Sequence, residues 1–123
     1  MKFKTIAITF VSMLVIFSCT KPEEVTESFV KAMANGHCEE ALKLTKGQAK
    51  DAVQGSFEAG CEPYKSEIIG KVTCDVNGSK ATCSCTEKRE LPGVKDLTFV
   101  YSLEKEGSDW KVVSYTKDNE LAK

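Results

Sequence analysis

Residues 64–86, YKSEIIGKVTCDVNGSKATCSCT, decide the fold, because the hydrophobic period of the chain changes there from helical to two. Tyr64, Ser66, Ile68, Gly70, Val72, Cys74 and Val76 fall on one face, against Lys65, Glu67, Ile69, Lys71, Thr73 and Asp75 on the other. That alternation predicts a half-buried strand with a bulge at Gly70. Asn77-Gly78 marks a hairpin turn, after which Ala81, Cys83 and Cys85 alternate with Thr82, Ser84 and Thr86. Pairing Val76 with Ala81 sets Cys74 opposite Cys83. A two-residue Asn-Gly turn would instead pair Cys74 with Ala81 and Val72 with Cys83, on the same faces. The first register is preferred, and with it a Cys74 to Cys83 bridge.

Toward the C-terminus, Leu91-Pro92-Gly93 ends the second strand, and Leu97, Phe99, Tyr101 and Leu103 line a third. Glu106-Gly107-Ser108-Asp109 turns into a fourth, Trp110 to Thr116, which completes an antiparallel meander. Toward the N-terminus the period is helical. Pro22 suits a first helical position, Glu23 and Glu24 the positive end and Lys31 the last turn. Val25, Phe29 and Met33, with Ala32, form the buried stripe of a helix over 22–35 that stops at Asn35-Gly36. A short second helix is predicted over 38–44. Thr45 and Gln48 read as a capping box opening a third, whose inner face is Ala49, Val53 and Phe57 with Ala52, and which Gly60 ends.

Ahead of the helices stands an export signal: Lys2 and Lys4, an apolar run from Ile6 to Phe17, and Ser18 before Cys19. The run is too short to span a bilayer, which takes ~20 apolar residues. Ile16 at the minus-three position does not fit a plain secretory cut, and Ile16-Phe17-Ser18-Cys19 resembles the lipobox of bacterial lipoproteins. That resemblance implies a signal peptide over 1–18, acylation of Cys19, a tether over 19–21 and attachment to a bacterial membrane, at the outer membrane or cell surface rather than the inner membrane. Several acyl chains on one residue make such attachment stable.

Without residues 1–18 the chain has 105 residues, enough for one domain over 22–117 and a polar tail over 118–123. Loss of Lys2 and Lys4 leaves 15 basic against 18 acidic side chains, a net of about minus three. With no basic cluster, nucleic acid is excluded as a partner. Cys19 aside, Cys38, Cys61, Cys74, Cys83 and Cys85 form an odd set that outside the cytoplasm reads as disulfides. Five thiols allow fifteen two-bridge arrangements. The preferred one joins Cys38 to Cys61, tying the second helix to the end of the third, and leaves Cys85 free beside Cys74 to Cys83.

The helical repeat, then Ala34-Asn35-Gly36-His37-Cys38-Glu39-Glu40-Ala41-Leu42, then a third helix and four strands ending in Leu103-Glu104-Lys105-Glu106-Gly107-Ser108-Asp109-Trp110-Lys111-Val112, resemble small lipoprotein domains of the nuclear transport factor two-like (cystatin-like) superfamily. The likeness spans most of residues 22–117, with His37 where the family usually has an acid. It implies an α+β cone: three N-terminal helices packed on a strongly curved four-stranded antiparallel sheet that wraps the first helix and leaves a cavity at its wide end. Phe29, Phe57, Tyr64, Phe99, Tyr101 and Trp110 are the candidate lining. That superfamily holds both enzymes and binding domains, so fold alone assigns no activity.

Enzyme chemistry in such a cone needs an acid and a base with separated pKa values. The inward faces offer Tyr64, Tyr101, Glu87 and Arg89. Glu87 and Arg89 follow the apolar part of their strand and read as a solvated rim pair, and His37 reads as a surface residue. No catalytic residues and no cofactor are therefore assigned. A thiolate metal site from Cys74, Cys83, Cys85 and one of Cys38, Cys61 or His37 is the other sharp alternative, opposed by competition from disulfides. The expectation is a lipid-anchored binding or structural module of the cell envelope whose partner is an envelope protein or a small apolar molecule. A cone-fold enzyme of isomerase or dehydratase type is the rival. A deep cavity with a buried carboxylate facing Tyr64 or Tyr101 would favour the rival, and a cavity filled by Phe29, Phe57, Phe99 and Trp110 would oppose it.

Overall fold

A computed structural model describes residues 20–89 and 96–117 of the chain. The signal peptide, Cys19, the Leu91-Pro92-Gly93 break, the side chain of Arg89 and the tail over 118–123 lie outside the described residues.

The first helix, α1, spans Pro22–Ala34, with Pro at its start, Glu23 and Glu24 in the first turn and Lys31 in the last. Its buried side is Val25, Phe29, Val30 and Ala32. Thr26 is also buried, and its hydroxyl donates to the Pro22 carbonyl at 2.9 Å, so no polar atom is stranded there. At the other end Gly36 takes φ 73°, His37 N–H donates to Ala32 O at 2.8 Å and Gly36 N–H to Met33 O at 3.2 Å. This is a Schellman stop, with glycine at the left-handed position that asparagine-glycine foretold.

Helices α2, Cys38–Lys43, and α3, Gly47–Glu58, follow. The predicted capping box at Thr45 is absent: no side chain caps α3, and Thr45 Oγ1 donates back to Leu42 O at 2.9 Å. The competing interaction is with the sheet. Val112 N–H donates to Leu44 O at 2.8 Å, Lys46 N–H donates to Val112 O at 3.0 Å, and Thr45 forms a parallel bridge to Val112. Residues 44–46 thereby cover part of the sheet edge, satisfying backbone groups that would otherwise invite edge pairing.

The sheet is a meander in the order β1-β2-β3-β4, with β1 Ser66–Asn77, β2 Lys80–Arg89, β3 Leu97–Glu106 and β4 Asp109–Lys117. Val76 pairs with Ala81 and Cys74 with Cys83, the preferred register. The loop residues are Gly78 and Ser79, with positive φ at Gly78, so the turn sits one residue later than an Asn-Gly loop would. The register breaks between Ile69 and Thr73, where Gly70 has φ 72°.

Helices and sheet share one core, built from Val25, Phe29 and Val30 of α1, Ala41 of α2, Ala49 and Val53 of α3, and Ala81, Cys83, Tyr101, Leu103, Trp110 and Val112 of the sheet. Outward residues such as Thr73, Thr82 and Ser102 are exposed, so the helices cover one face.

The cone expectation is overturned. The helices have 13, 6 and 12 residues and all precede the sheet; at ~1.5 Å per residue α1 is only about 20 Å long. It lies against β1, β2 and β4 as one member of a helical layer. The residues that carried the resemblance are a helix stop and a hairpin, and these fix local elements without fixing how a sheet curves. The plain α+β statement stands. Two inner-face assignments on α3 also fail: Ala52 is exposed and Phe57 is 39% exposed, and only Ala49 and Val53 of this helix are buried.

Candidate functional site

At the end of the sheet remote from the two hairpin turns, Phe29, Val30 and Met33 of α1 meet Tyr64, Glu87 of β2, Phe99 and Tyr101 of β3, and Tyr115 of β4. They line a pit of about 110 Å³. Strand alternation places several of these side chains. The inward period of β2 runs through Ala81, Cys83, Cys85 and Glu87, and that of β3 through Phe99, Tyr101 and Leu103. Tyr64 is placed by its N–H, which donates to Ala34 O at 2.8 Å. Tyr115 reaches the pit through an irregularity: Ser102 pairs with Ser114 but Leu103 with Val112, so Val113 is an extra residue. Strict alternation from Trp110 and Val112 would have turned Tyr115 to the opposite face.

The rings lean on one another. Phe29 and Tyr101 have centroids 6.0 Å apart at 77°, Phe29 and Tyr115 5.5 Å at 55°, Tyr101 and Tyr115 5.7 Å at 33°, and Phe99 and Tyr101 6.2 Å at 39°. Among them stands Glu87, 2% exposed, accepting a hydrogen bond from Ser66 Oγ at 2.7 Å. The expectation that Glu87 sits on a solvated rim is therefore incorrect, while the side chain of Arg89 lies outside the described residues. The strand's period continues inward past its apolar part, and Ser66 compensates some of the cost of enclosing a carboxylate.

Burial dominates the protonation of the neighbouring groups. It drives the Tyr101 hydroxyl far above the ordinary phenol range, and the negative charge of Glu87 adds to the effect. Burial likewise pushes the Cys85 thiol up to about 11, with Glu87 and then Glu27 adding. Tyr115 is raised by burial. At neutral pH all three hold their protons.

The cysteines divide as the preferred arrangement has it. Cys38 is bonded to Cys61, with Cα atoms 6.2 Å apart, and Cys74 to Cys83 at 4.0 Å. Cys85 is a buried free thiol. Of the ligands in the metal alternative, Cys74 and Cys83 are consumed in a bridge, and so are both cysteines offered for the fourth position. Among the described residues no three His, Cys, Asp or Glu side chains are grouped to hold a metal ion.

Of the six aromatic residues predicted to line a cavity, Phe29, Tyr64, Phe99 and Tyr101 meet in the pit. Phe57 borders a separate hollow of about 320 Å³ beside the Cys38–Cys61 bridge, together with His37. Trp110 is buried at the other end of the sheet, where Lys105 Nζ lies 5.4 Å from its ring and its own backbone N–H donates to Thr20 Oγ1 at 3.3 Å. Sequence reasoning missed Tyr115 and the burial of Glu87. The unbroken alternation of β2 was a usable signal for Glu87, whereas nothing in the sequence marks Val113 as a bulge. A larger open groove of about 610 Å³ lies between α1 and the edge strand β1, lined by both signs of charge, including Glu23, Glu27, Lys31, Glu67 and Lys71.

No protein-family model matches the chain, and no curated protein matches it. Solved structures do resemble it. The intermembrane space region of the chloroplast protein ARC6 aligns with a TM-score of 0.53 and 16% identity, covering 77% of this chain and 92% of that one. A de novo designed β-sheet protein aligns with a TM-score of 0.51 and 13% identity, covering 78% and 84%. At such identities the likeness is one of fold alone.

Proposed function

We propose that this chain is an extracytoplasmic lipoprotein domain, held by lipid on Cys19 at the outer membrane or surface of a bacterial envelope, that binds a ligand without transforming it. The buried carboxyl of Glu87 beside Tyr64 and Tyr101 is the feature set out above as favouring the enzyme rival; the binding reading is carried instead by the groups around it. The described groups beside it, Tyr101, Tyr115 and Cys85, have their protons held by burial. General acid–base catalysis needs partners whose pKa values lie near the working pH, and a thiol raised to about 11 is a poor nucleophile. The sequence around Cys19 supports the anchor.

The anchor and the pit would lie at opposite ends of the domain. Thr20, the residue after Cys19, is bonded to Trp110 next to the β3–β4 turn, and Lys105 N–H donates to Ser79 O at 2.9 Å, which brings the β1–β2 turn to the same end. From Ala81, near those turns, to Glu87 is about 20 Å along β2 at ~3.3 Å per residue. The hairpin turns would then face the bilayer and the pit would lie away from it. Palmitate labelling of the parent and of Cys19→Ser tests the anchor. The label should be lost in the variant; if it persists, the localisation is wrong. Crosslinking in the native envelope would then identify neighbours of the anchored protein.

A further inference from the structure

We propose that Asn77, at the tip of the first hairpin, is the acceptor of an N-linked glycan transferred from a lipid-pyrophosphate-linked oligosaccharide. The proposal rests on the export and anchoring of the chain in the reading above, and it needs neither the pit nor a ligand in it. The segment is Asp75-Val76-Asn77-Gly78-Ser79, which meets the acceptor pattern Asn-x-Ser with glycine in the middle. Of the three asparagines in the chain, Asn77 alone has a hydroxyl residue two places on; Asn35 is followed by Gly36-His37 and Asn119 by Glu120-Leu121. So short a pattern is weak by itself. The structure adds two things: the turn does not account for Asn77, and the site is open.

Asparagine favours a hairpin loop because it tolerates positive φ. Here the loop is Gly78-Ser79, while Asn77 is a paired strand residue opposite Lys80 and has no positive φ. Strands disfavour asparagine, so turn geometry gives no reason for it at this position. Residues 75–80 are all exposed. By alternation Asn77 shares the face of Thr73 and Asp75, the side of the sheet that no helix covers, which leaves room for a bulky glycan. Among the described residues the side chains of Asn77 and Ser79 have no hydrogen-bond partner, so amide and hydroxyl are both offered to an enzyme. Ser79 is tied only through its backbone, whose carbonyl accepts from Lys105 N–H at 2.9 Å. Asp75 adds an anionic flank on the same face, which a basic transferase surface would hold. This is also the end of the domain at which Thr20 Oγ1 accepts from Trp110 N–H at 3.3 Å. Lipid on Cys19 would thus turn the acceptor toward a bilayer, where a lipid-linked donor resides. In the transfer Asn77 Nδ2 bonds to the anomeric carbon of the first sugar. The bond from that carbon to the pyrophosphate oxygen breaks with its electron pair on the leaving oxygen, and one amide proton passes to a base of the transferase.

The test uses the full chain purified from its native envelope. Intact mass reads the removal of residues 1–18 and the acylation of Cys19, and the tryptic peptide over 72–80, after reduction, reads Asn77 separately. That peptide should carry the mass of one or more sugar residues, and fragmentation should place them on Asn77. Asn77→Gln and Ser79→Ala should each lose the added mass while processing and acylation at Cys19 stay unchanged. Asp75→Asn should lower the modified fraction, and an unchanged fraction would overturn the role of the anionic flank. The inference is overturned if an acylated protein carries a bare peptide over 72–80, or if the sole change there is hydrolysis of the Asn77 amide to a carboxylate. It is equally overturned if the sugar persists in a folded Ser79→Ala. A chain that keeps residues 1–18 would overturn the localisation and the glycan together, whereas a processed, acylated and bare one overturns the glycan alone. Should a variant fail to fold, fragmentation of the parent peptide still decides.

Discussion

Removing the Cys38–Cys61 bridge by the double change to alanine should cost about 3.4 kcal/mol, from a chain-entropy loss of roughly 11 cal/mol/K for a 23-residue separation at 25 °C. The same relation gives about 2.6 kcal/mol for Cys74–Cys83, whose separation is 9. The longer bridge should therefore be the more valuable one, although it ties the start of α2 to the segment after α3, outside the sheet. A second effect acts at Cys61, the one non-glycine residue with positive φ, 47°, among those described. A left-handed conformation costs a side-chain-bearing residue ~1–2 kcal/mol, against which glycine loses ~0.5–1 kcal/mol in extra unfolded-chain entropy. The pair Cys38→Ala with Cys61→Gly should thus be more stable than Cys38→Ala with Cys61→Ala, by up to about 1 kcal/mol. Urea unfolding followed by the fluorescence of Trp110, the only tryptophan and a buried one, reads both quantities. With m about 1–3 kcal/mol/M, losing the longer bridge moves the midpoint down by roughly 1–3 M. The reasoning fails if the double alanine variant stays within about 1 kcal/mol of the parent, or if losing Cys74–Cys83 costs more. Intact mass should rise on reduction by two hydrogens for each of two bridges, which checks the pairing count independently.

Cys85 should make stability fall at alkaline pH. Burial pushes its thiol up to about 11 in the fold from an ordinary value of 9.0, so the folded state holds the proton more tightly. Its contribution is complete below pH 9.0 and is lost as pH rises toward 11, at most about 2–3 kcal/mol. Comparing urea midpoints at neutral and alkaline pH, the decline should be steeper for the parent than for Cys85→Ala, and equal slopes would contradict this. Gly36→Ala should destabilise far more than Gly107→Ala. Both have positive φ, but an added Cβ at Gly36 would stand 2.8 Å from the Cys61 carbonyl oxygen, whereas Gly107 has nothing within 4 Å. Similar thermal midpoints for the two variants would refute the clash. Leu103→Ala, deep in the shared core, should cost about 2–5 kcal/mol, while Val76→Ala, at a residue 51% exposed, should cost less than about 0.5 kcal/mol. Comparable losses in urea unfolding would displace the core from where the contacts put it.

The elements themselves were legible because their causes are local. Pro22, the stripe Val25-Phe29-Met33 and Asn35-Gly36 contain the start, face and stop of α1, and the alternation on both sides of Asn77-Gly78 contains the first hairpin and its faces, while the choice between two registers, and with it the Cys74–Cys83 pairing, was a preference that the structure decided. Thr45 was misread because a capping motif describes only its own neighbourhood, while the backbone of β4, more than sixty residues away in sequence, claims the same segment. Sheet curvature was beyond local signals too, and the resemblance that promised a cone supplied only short motifs. The pit belongs to the same class of feature. By itself the sequence determined the secondary elements, since each depends on neighbours along the chain. Only tertiary structure decided that Glu87 is enclosed and that the Val113 bulge turns Tyr115 in beside it, because burial is set by what the other elements bring to a face.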